Sequence, residues 1–185
     1  MVEECFMKKI VVIFKSVYGT TKQYAQWIAE ELDASLLEAS SVKPDCLMDY
    51  DVVIYGGGLY AGGIIGSKLV AKNPCKSLVV FTVGLATPET TDYSDILAMN
   101  FTAEKLASTK VFHLHGGMDY GKLKIAHKAM MAIKKRETEN TPLAERTNDD
   151  RQLLETYRGR VDFVNRDAIT PLVDYVRSLI HETIE

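Results

Sequence analysis

Lys9-Ile10-Val11-Val12-Ile13-Phe14-Lys15-Ser16-Val17-Tyr18-Gly19-Thr20-Thr21 joins a continuous apolar run to a short turn rich in hydroxyls. A run without polar alternation suits a strand covered on both faces, as in a parallel sheet. Beyond the turn, Tyr24, Ala25, Ile28, Ala29 and Leu32 recur at helical spacing, predicting a helix over 21–32. The strand–turn–helix unit then repeats. Strands are predicted at 35–39, 51–55, 77–83 and 110–115, the third halted by Gly56-Gly57-Gly58 and the fourth ending at Gly84. Helices are predicted at 64–72, stopped by Asn73-Pro74, at 94–107 and at 122–136. A last helix carries Leu172, Val173, Val176, Leu179 and Ile180 on one stripe, with Pro171 in its first turn. Strands alternating with helices predict an α/β fold with a doubly wound parallel sheet and helices on both faces. Ligands of such sheets sit beyond the carboxyl ends of the strands.

Composition narrows the function classes. The chain has 185 residues, enough for one domain with a sizeable core, and its formal net charge of −3 offers no general pull toward nucleic acid. Residues 1–185 read as a single domain, with 1–7 a tail ahead of the first strand and Met7 an alternative start. No apolar stretch approaches the roughly 20 residues of a bilayer-spanning helix. Cys5, Cys46 and Cys75 are widely spaced with no Cys-x-x-Cys pair, which argues for reduced thiols and a cytoplasmic location.

The first turn has the chemistry of a phosphate cradle. A helix amino terminus presents unpaired N–H groups and partial positive charge. Ser16, Thr20 and Thr21 add hydroxyl donors, and Gly19 allows close backbone approach. No Lys or Arg lies between Ser16 and Thr21, and the Gly-Lys-Ser/Thr ending of a Walker A loop is missing. A plain strand–helix turn capped by Thr20 or Thr21 is the competing reading.

Ser16-Val17-Tyr18-Gly19-Thr20-Thr21 resembles the FMN phosphate loop of flavodoxins, Ser/Thr-x-Thr/Tyr-Gly-Asn/Thr-Thr, at every position. The resemblance implies a flavodoxin-like, five-stranded, three-layer α/β/α fold with strand order 2-1-3-4-5, and FMN as cofactor. It also implies that the flavin ring meets Gly57, Gly58, Leu59 and Tyr60 after the third strand, with Tyr60 the aromatic against it. Thr82, Val83, Gly84 and Leu85 after the fourth strand would wrap its other edge. The Gly-Asp ending and second aromatic common in electron-carrier flavodoxins are missing there, so one ring face is expected to be open to a substrate.

After the fifth strand, Gly116-Gly117-Met118-Asp119-Tyr120 and the following Gly121-Lys122-Leu123 resemble the menaquinone-dependent protoporphyrinogen oxidases of the flavodoxin-like group. That resemblance implies an FMN oxidoreductase passing electrons between a small organic substrate and an acceptor such as a quinone, with Asp119 and Tyr120 as substrate-side candidates. An electron carrier without small-molecule turnover is the alternative, disfavoured by the modest charge. A redox partner protein and a second copy of the chain are further partners left open. No residue constellation for nucleophilic or acid–base catalysis is present, so the cofactor would carry the chemistry.

His113 and His115 share a strand face, but no third metal ligand is apparent and packing or hydrogen bonding is expected of them. His127 and His181 are expected to face solvent. Over 122–136, Leu123, Ala126, Met130 and Ile133 form an expected inward stripe, and Lys124, Lys128 and Lys135 a basic one. Such a helix suits a solvated face or at most peripheral contact with a membrane. Residues 137–160 read as a loop with one helical turn near 151–157, within an extended segment at 117–167 where function beyond electron carriage would be built.

Overall fold

A computed structural model describes residues 8–60 and 62–181. The expected tail at 1–7, Cys5 and the side chain of His181 lie outside what it describes. Five parallel strands, β1 (Ile10–Lys15), β2 (Ser35–Glu38), β3 (Val52–Tyr60), β5 (Leu78–Gly84) and β6 (Thr109–His115), run in the order β2-β1-β3-β5-β6. Counting parallel strands alone, this is the expected 2-1-3-4-5 arrangement. A short β4 (Gly63–Ile64) folds back antiparallel on the end of β3.

Side-chain alternation on the strands builds two cores. Val12 and Phe14 of β1 face one layer, where they meet Tyr24, Ala25 and Ile28 of α1 (Thr20–Leu32) and Leu172, Val173 and Val176 of α7 (Thr170–His181). Val11 and Ile13 face the other, which holds Leu47, Val70 of α2 (Lys68–Ala71) and Phe101. Each fully buried aliphatic side chain contributes about 1.5–3 kcal/mol, so the double-sided apolar strands are what hold three layers together. The phenol of Tyr24, wholly buried, donates to His115 O at 2.7 Å and accepts from Asn165 N–H at 3.1 Å, tying α1 to the end of β6.

Several boundaries differ from expectation, each for a long-range reason. Gly56-Gly57-Gly58 does not halt β3: Gly56 and Gly57 pair with Phe14 and Lys15 on one side and with Phe81 and Thr82 on the other. These glycines are demanded by packing, because a Cβ on Gly56 would lie 2.1 Å from Phe81 Cζ and one on Gly57 2.6 Å from Ile64 Cγ2. The helix expected at 64–72 shrinks to α2, since Ile64 is in the hairpin and Gly66 turns the chain at φ +76. The helix expected at 94–107 breaks into α3 (Ser94–Asn100) and α4 (Ala103–Ala107), with Phe101 extended and Thr102 capping the second. Asn100 at the break accepts from Ile64 N–H at 2.9 Å and donates to Gly62 O at 3.1 Å, clamping the β3–β4 hairpin.

The segment after β6 is more ordered than expected. β7 (Gly117–Asp119) pairs antiparallel with β8 (Arg160–Asp162), α5 spans Ile125–Asn140, and α6 spans Asn148–Thr156. A reciprocal capping box between Thr147 and Asp150 starts α6. Residues 137–160 are therefore mainly helix and strand rather than loop.

The contact between Gly56 and Phe81 makes a quantitative prediction. Gly56→Ala is expected to destabilise the fold by about 1–3 kcal/mol, measured as a lowered midpoint of chemical denaturation. Adding Phe81→Leu should recover part of the loss; an unchanged midpoint in the single variant would contradict the packing account.

Candidate functional site

The carboxyl ends of β1, β3, β5 and β6 open into one cavity of about 530 Å³, a volume in the range of small-molecule sites. Its first wall is the turn after β1, through Ser16, Val17, Tyr18, Thr20 and Thr21. Gly19 stands at φ +100 immediately before α1, donates its N–H to Ser16 Oγ at 3.1 Å, and has no side chain to crowd the turn. The first helical bond runs from Gln23 N–H to Gly19 O at 2.9 Å, so the amides of residues 20–22 precede the ladder and have no acceptor in it. No side chain caps α1. The competing reading of the turn as a plain Thr-capped helix start is therefore not what the structure holds. The amides and the hydroxyls of Ser16, Thr20 and Thr21 form a neutral donor set of the kind an oxyanion takes.

The second wall is Gly58, Leu59 and Tyr60 at the end of β3, and the third is Val83, Gly84 and Leu85 at the end of β5. A Cβ on Gly58 would lie 2.9 Å from the Tyr60 ring and 3.5 Å from Thr21 Oγ1, so the glycine lets the first two walls meet. Burial raises the Tyr60 phenol to about 12, with Tyr18 adding to the shift. Gly116, Gly117 and Met118 close the side next to β6.

The structure thus brings Ser16, Val17, Tyr18, Thr20, Thr21, Gly58, Leu59, Tyr60, Val83, Gly84 and Leu85 around one cavity. Five other candidates are not among its lining residues. Gly19 shapes the turn, and Gly57 is packed under Ile64. Thr82 is buried, with its hydroxyl 2.6 Å from His113 Nδ1. Asp119 accepts from Gly121 N–H at 3.0 Å and pairs with Lys122 at 3.8 Å. Tyr120 packs edge-on against Tyr157, ring centroids 5.4 Å apart, rather than turning toward the cavity.

Residues 123–137 supply a fourth wall that the sequence reading did not assign. Leu123, His127, Met130, Met131, Ile133, Lys134 and Glu137 line the cavity. His127 is not a free solvent-facing side chain as expected. Its Nδ1 lies 2.5 Å from the Tyr18 hydroxyl, 109 residues away in sequence, and its ring stacks on Tyr60 with centroids 4.8 Å apart. Lys124 N–H donates to the same Tyr18 oxygen at 3.1 Å. A Met-containing helix on the ligand side of the sheet was the available signal, since Met is common at adaptable binding surfaces. The inward stripe expected there is only partly inward: Leu123 is buried, but Met130 is 37% and Ile133 61% exposed.

His113 and His115 have separate partners. His113 stacks on Tyr93 with centroids 3.6 Å apart, and His115 stacks on Phe163 with Nε2 3.0 Å from Leu85 O. The loop after β5 is further held by Asp149 of α6, which accepts from Thr87 N–H and from the hydroxyls of Thr87 (2.8 Å) and Thr91 (3.3 Å). The segment after β6 is thereby tied to the third wall.

A model of the flavodoxin domain family matches residues 11–144. An uncharacterized protein of Methanocaldococcus jannaschii is 34% identical over 55 residues, 29% of this chain and 37% of that protein. The match therefore spans little more than a third of that relative's length. Among solved structures, a flavodoxin from the domain Archaea is 21% identical, with 58% of this chain and 82% of that one covered and a TM-score of 0.43. A WrbA-like flavodoxin from Agrobacterium tumefaciens is 22% identical, covering 56% and 75%, with a TM-score of 0.40. A flavoprotein in complex with FMN from Lactobacillus acidophilus is 14% identical, covering 58% and 92%, with a TM-score of 0.39.

Burial lowers His113 from 6.5 to about 4, so the folded ring stays neutral where the unfolded one charges. Its contribution to stability is present above pH 6.5 and is lost as pH falls from 6.5 toward 4, because the unfolded state then binds the extra proton. Urea titrations across that interval should show a shallower loss for His113→Gln than for the parent. Parallel losses would mean the ring is not held neutral.

Proposed function

The chain belongs to the flavodoxin domain family, and on that premise we propose that it binds FMN and is an oxidoreductase acting on a small organic molecule. The residues present fit this cofactor. Neutral amide and hydroxyl donors at the start of α1 suit a phosphate monoester, and Gly58, with no side chain, lets Thr21 of that cradle and Tyr60 of the ring walls stand side by side. Leu59, Tyr60, Val83, Leu85 and Met118 are the apolar and aromatic surfaces a flat ring system needs. When bound, FMN supplies one- or two-electron redox chemistry.

One observation supports an enzyme over a carrier: Leu123, His127, Met130, Met131 and Ile133 wall the cavity on a fourth side, with His127 stacked on Tyr60 and hydrogen-bonded to Tyr18. An electron carrier works with its redox group at an open edge, whereas a cavity with a fourth, largely apolar wall suits a small-molecule substrate. Lys124 N–H donates to the Tyr18 oxygen, and His127 Nδ1 lies 2.5 Å from the same oxygen, so the ring is held in place against the cavity. With Nδ1 engaged by Tyr18, His127 keeps Nε2 for a hydrogen bond to a bound molecule. The narrower reading, a quinone or porphyrinogen as substrate, is supported by the resemblance of residues 116–123 to protoporphyrinogen oxidases. A cytoplasmic site of action accompanies it; among the described residues no helix is long and apolar enough to cross a membrane.

Titrating the apoprotein with FMN while following flavin fluorescence tests the cofactor. Thr20→Glu, which sets a carboxylate against the phosphate, should weaken binding by about 100-fold or more. Substrate-dependent bleaching of the yellow holoprotein by a small reductant tests the enzyme. Reduction of protein partners without small-molecule turnover would favour the carrier, and undiminished FMN affinity in the variant would count against the cradle.

A further inference from the structure

α5 is turned the opposite way from a helix that serves a protein core. Ile125, Ala126, Ala129, Met130, Ala132 and Ile133 all lie on its exposed surface, with Ile125 89% exposed, while the half-buried positions carry His127, Lys128, Met131 and Lys135. Spacings of three and four residues put the six apolar side chains on one continuous face. Leu143, 76% exposed just past the helix end, extends it. A surface helix normally hides such a stripe, and one left uncovered marks an interaction site.

We propose that this face of α5 docks on an anionic lipid surface, the helix lying in the plane of the interface. Charge complementarity selects the occupant. Residues 122–160 carry ten Lys and Arg against six Asp and Glu, a net of +4 in a chain whose formal charge is −3. Lys124, Lys134 and Arg136 stand exposed along and beside the apolar stripe, against Glu137 and Glu139 on the same helix, an arrangement by which an amphipathic helix combines acyl-chain burial with attraction to anionic headgroups. A second copy of the chain would bring the same basic flank against itself, which like-charge repulsion opposes. Met130 and Ile133 belong both to the exposed face and to the cavity wall, so the docked surface would be continuous with the cavity mouth. The inference does not depend on FMN being the cofactor.

Co-sedimentation of the full chain with phosphatidylcholine vesicles, and with vesicles also containing phosphatidylglycerol, tests it. Binding is expected only to the anionic vesicles and should weaken as salt is raised. The exposed Ile125→Asp, Ala129→Asp double variant, which avoids the cavity wall, should bind them about tenfold or more weakly with FMN affinity unchanged. The proposal is overturned if neither vesicle is bound, if the variant binds as well as the parent, or if ultracentrifugation shows a dimer that the variant dissociates.

Discussion

The amides of residues 20–22, left without helical acceptors where α1 begins, are the constraint around which this site is arranged. Their donors must meet an acceptor, and the turn that presents them offers hydroxyls rather than capping carboxylates. Gly19 at φ +100 brings the chain round without a side chain, and β1 holds the turn at the sheet's carboxyl edge. A helix start worth a fraction of a kcal/mol to an exposed anion becomes more effective when several donors converge in a partly buried pocket.

The sheet makes that convergence possible. β1 and β3 run in register, as do β3 and β5 and β5 and β6, so four chain ends emerge together. Phe81 beneath Gly56 and Ile64 over Gly57 occupy the space that side chains on β3 would need. Asn100 and Asp149 then secure the margins, one holding the β3–β4 hairpin and the other the loop after β5. Both act from helices outside the four chain ends, so the cavity's shape depends on residues that do not line it.

What was legible in the sequence was local. The β-branched runs, the stripe of α7 and the hydroxyl-rich turn state their structure within a few residues, and the strands and the cradle turn follow from them. The glycine run was legible as a special place but not as to cause, because a turn and a close approach of side chains leave the same residues behind. The break at Phe101 depends on a clamp from Asn100 to a hairpin about thirty-six residues earlier, beyond any window of periodicity. The partnership of His127 with Tyr18 spans 109 residues and has no local signature. Periodicity on α5 identified a shared apolar face, but not whether that face meets core, cavity or solvent.

The cradle can be tested by comparing two ligands that differ only in the group it is built to hold. FMN and riboflavin share the ring and ribityl chain, so the ratio of their dissociation constants isolates the phosphate's contribution. Several charge-assisted hydrogen bonds predict that FMN binds at least about 100-fold more tightly. Equal affinity for the two would contradict the account, since the turn after β1 would then contribute nothing to recognition.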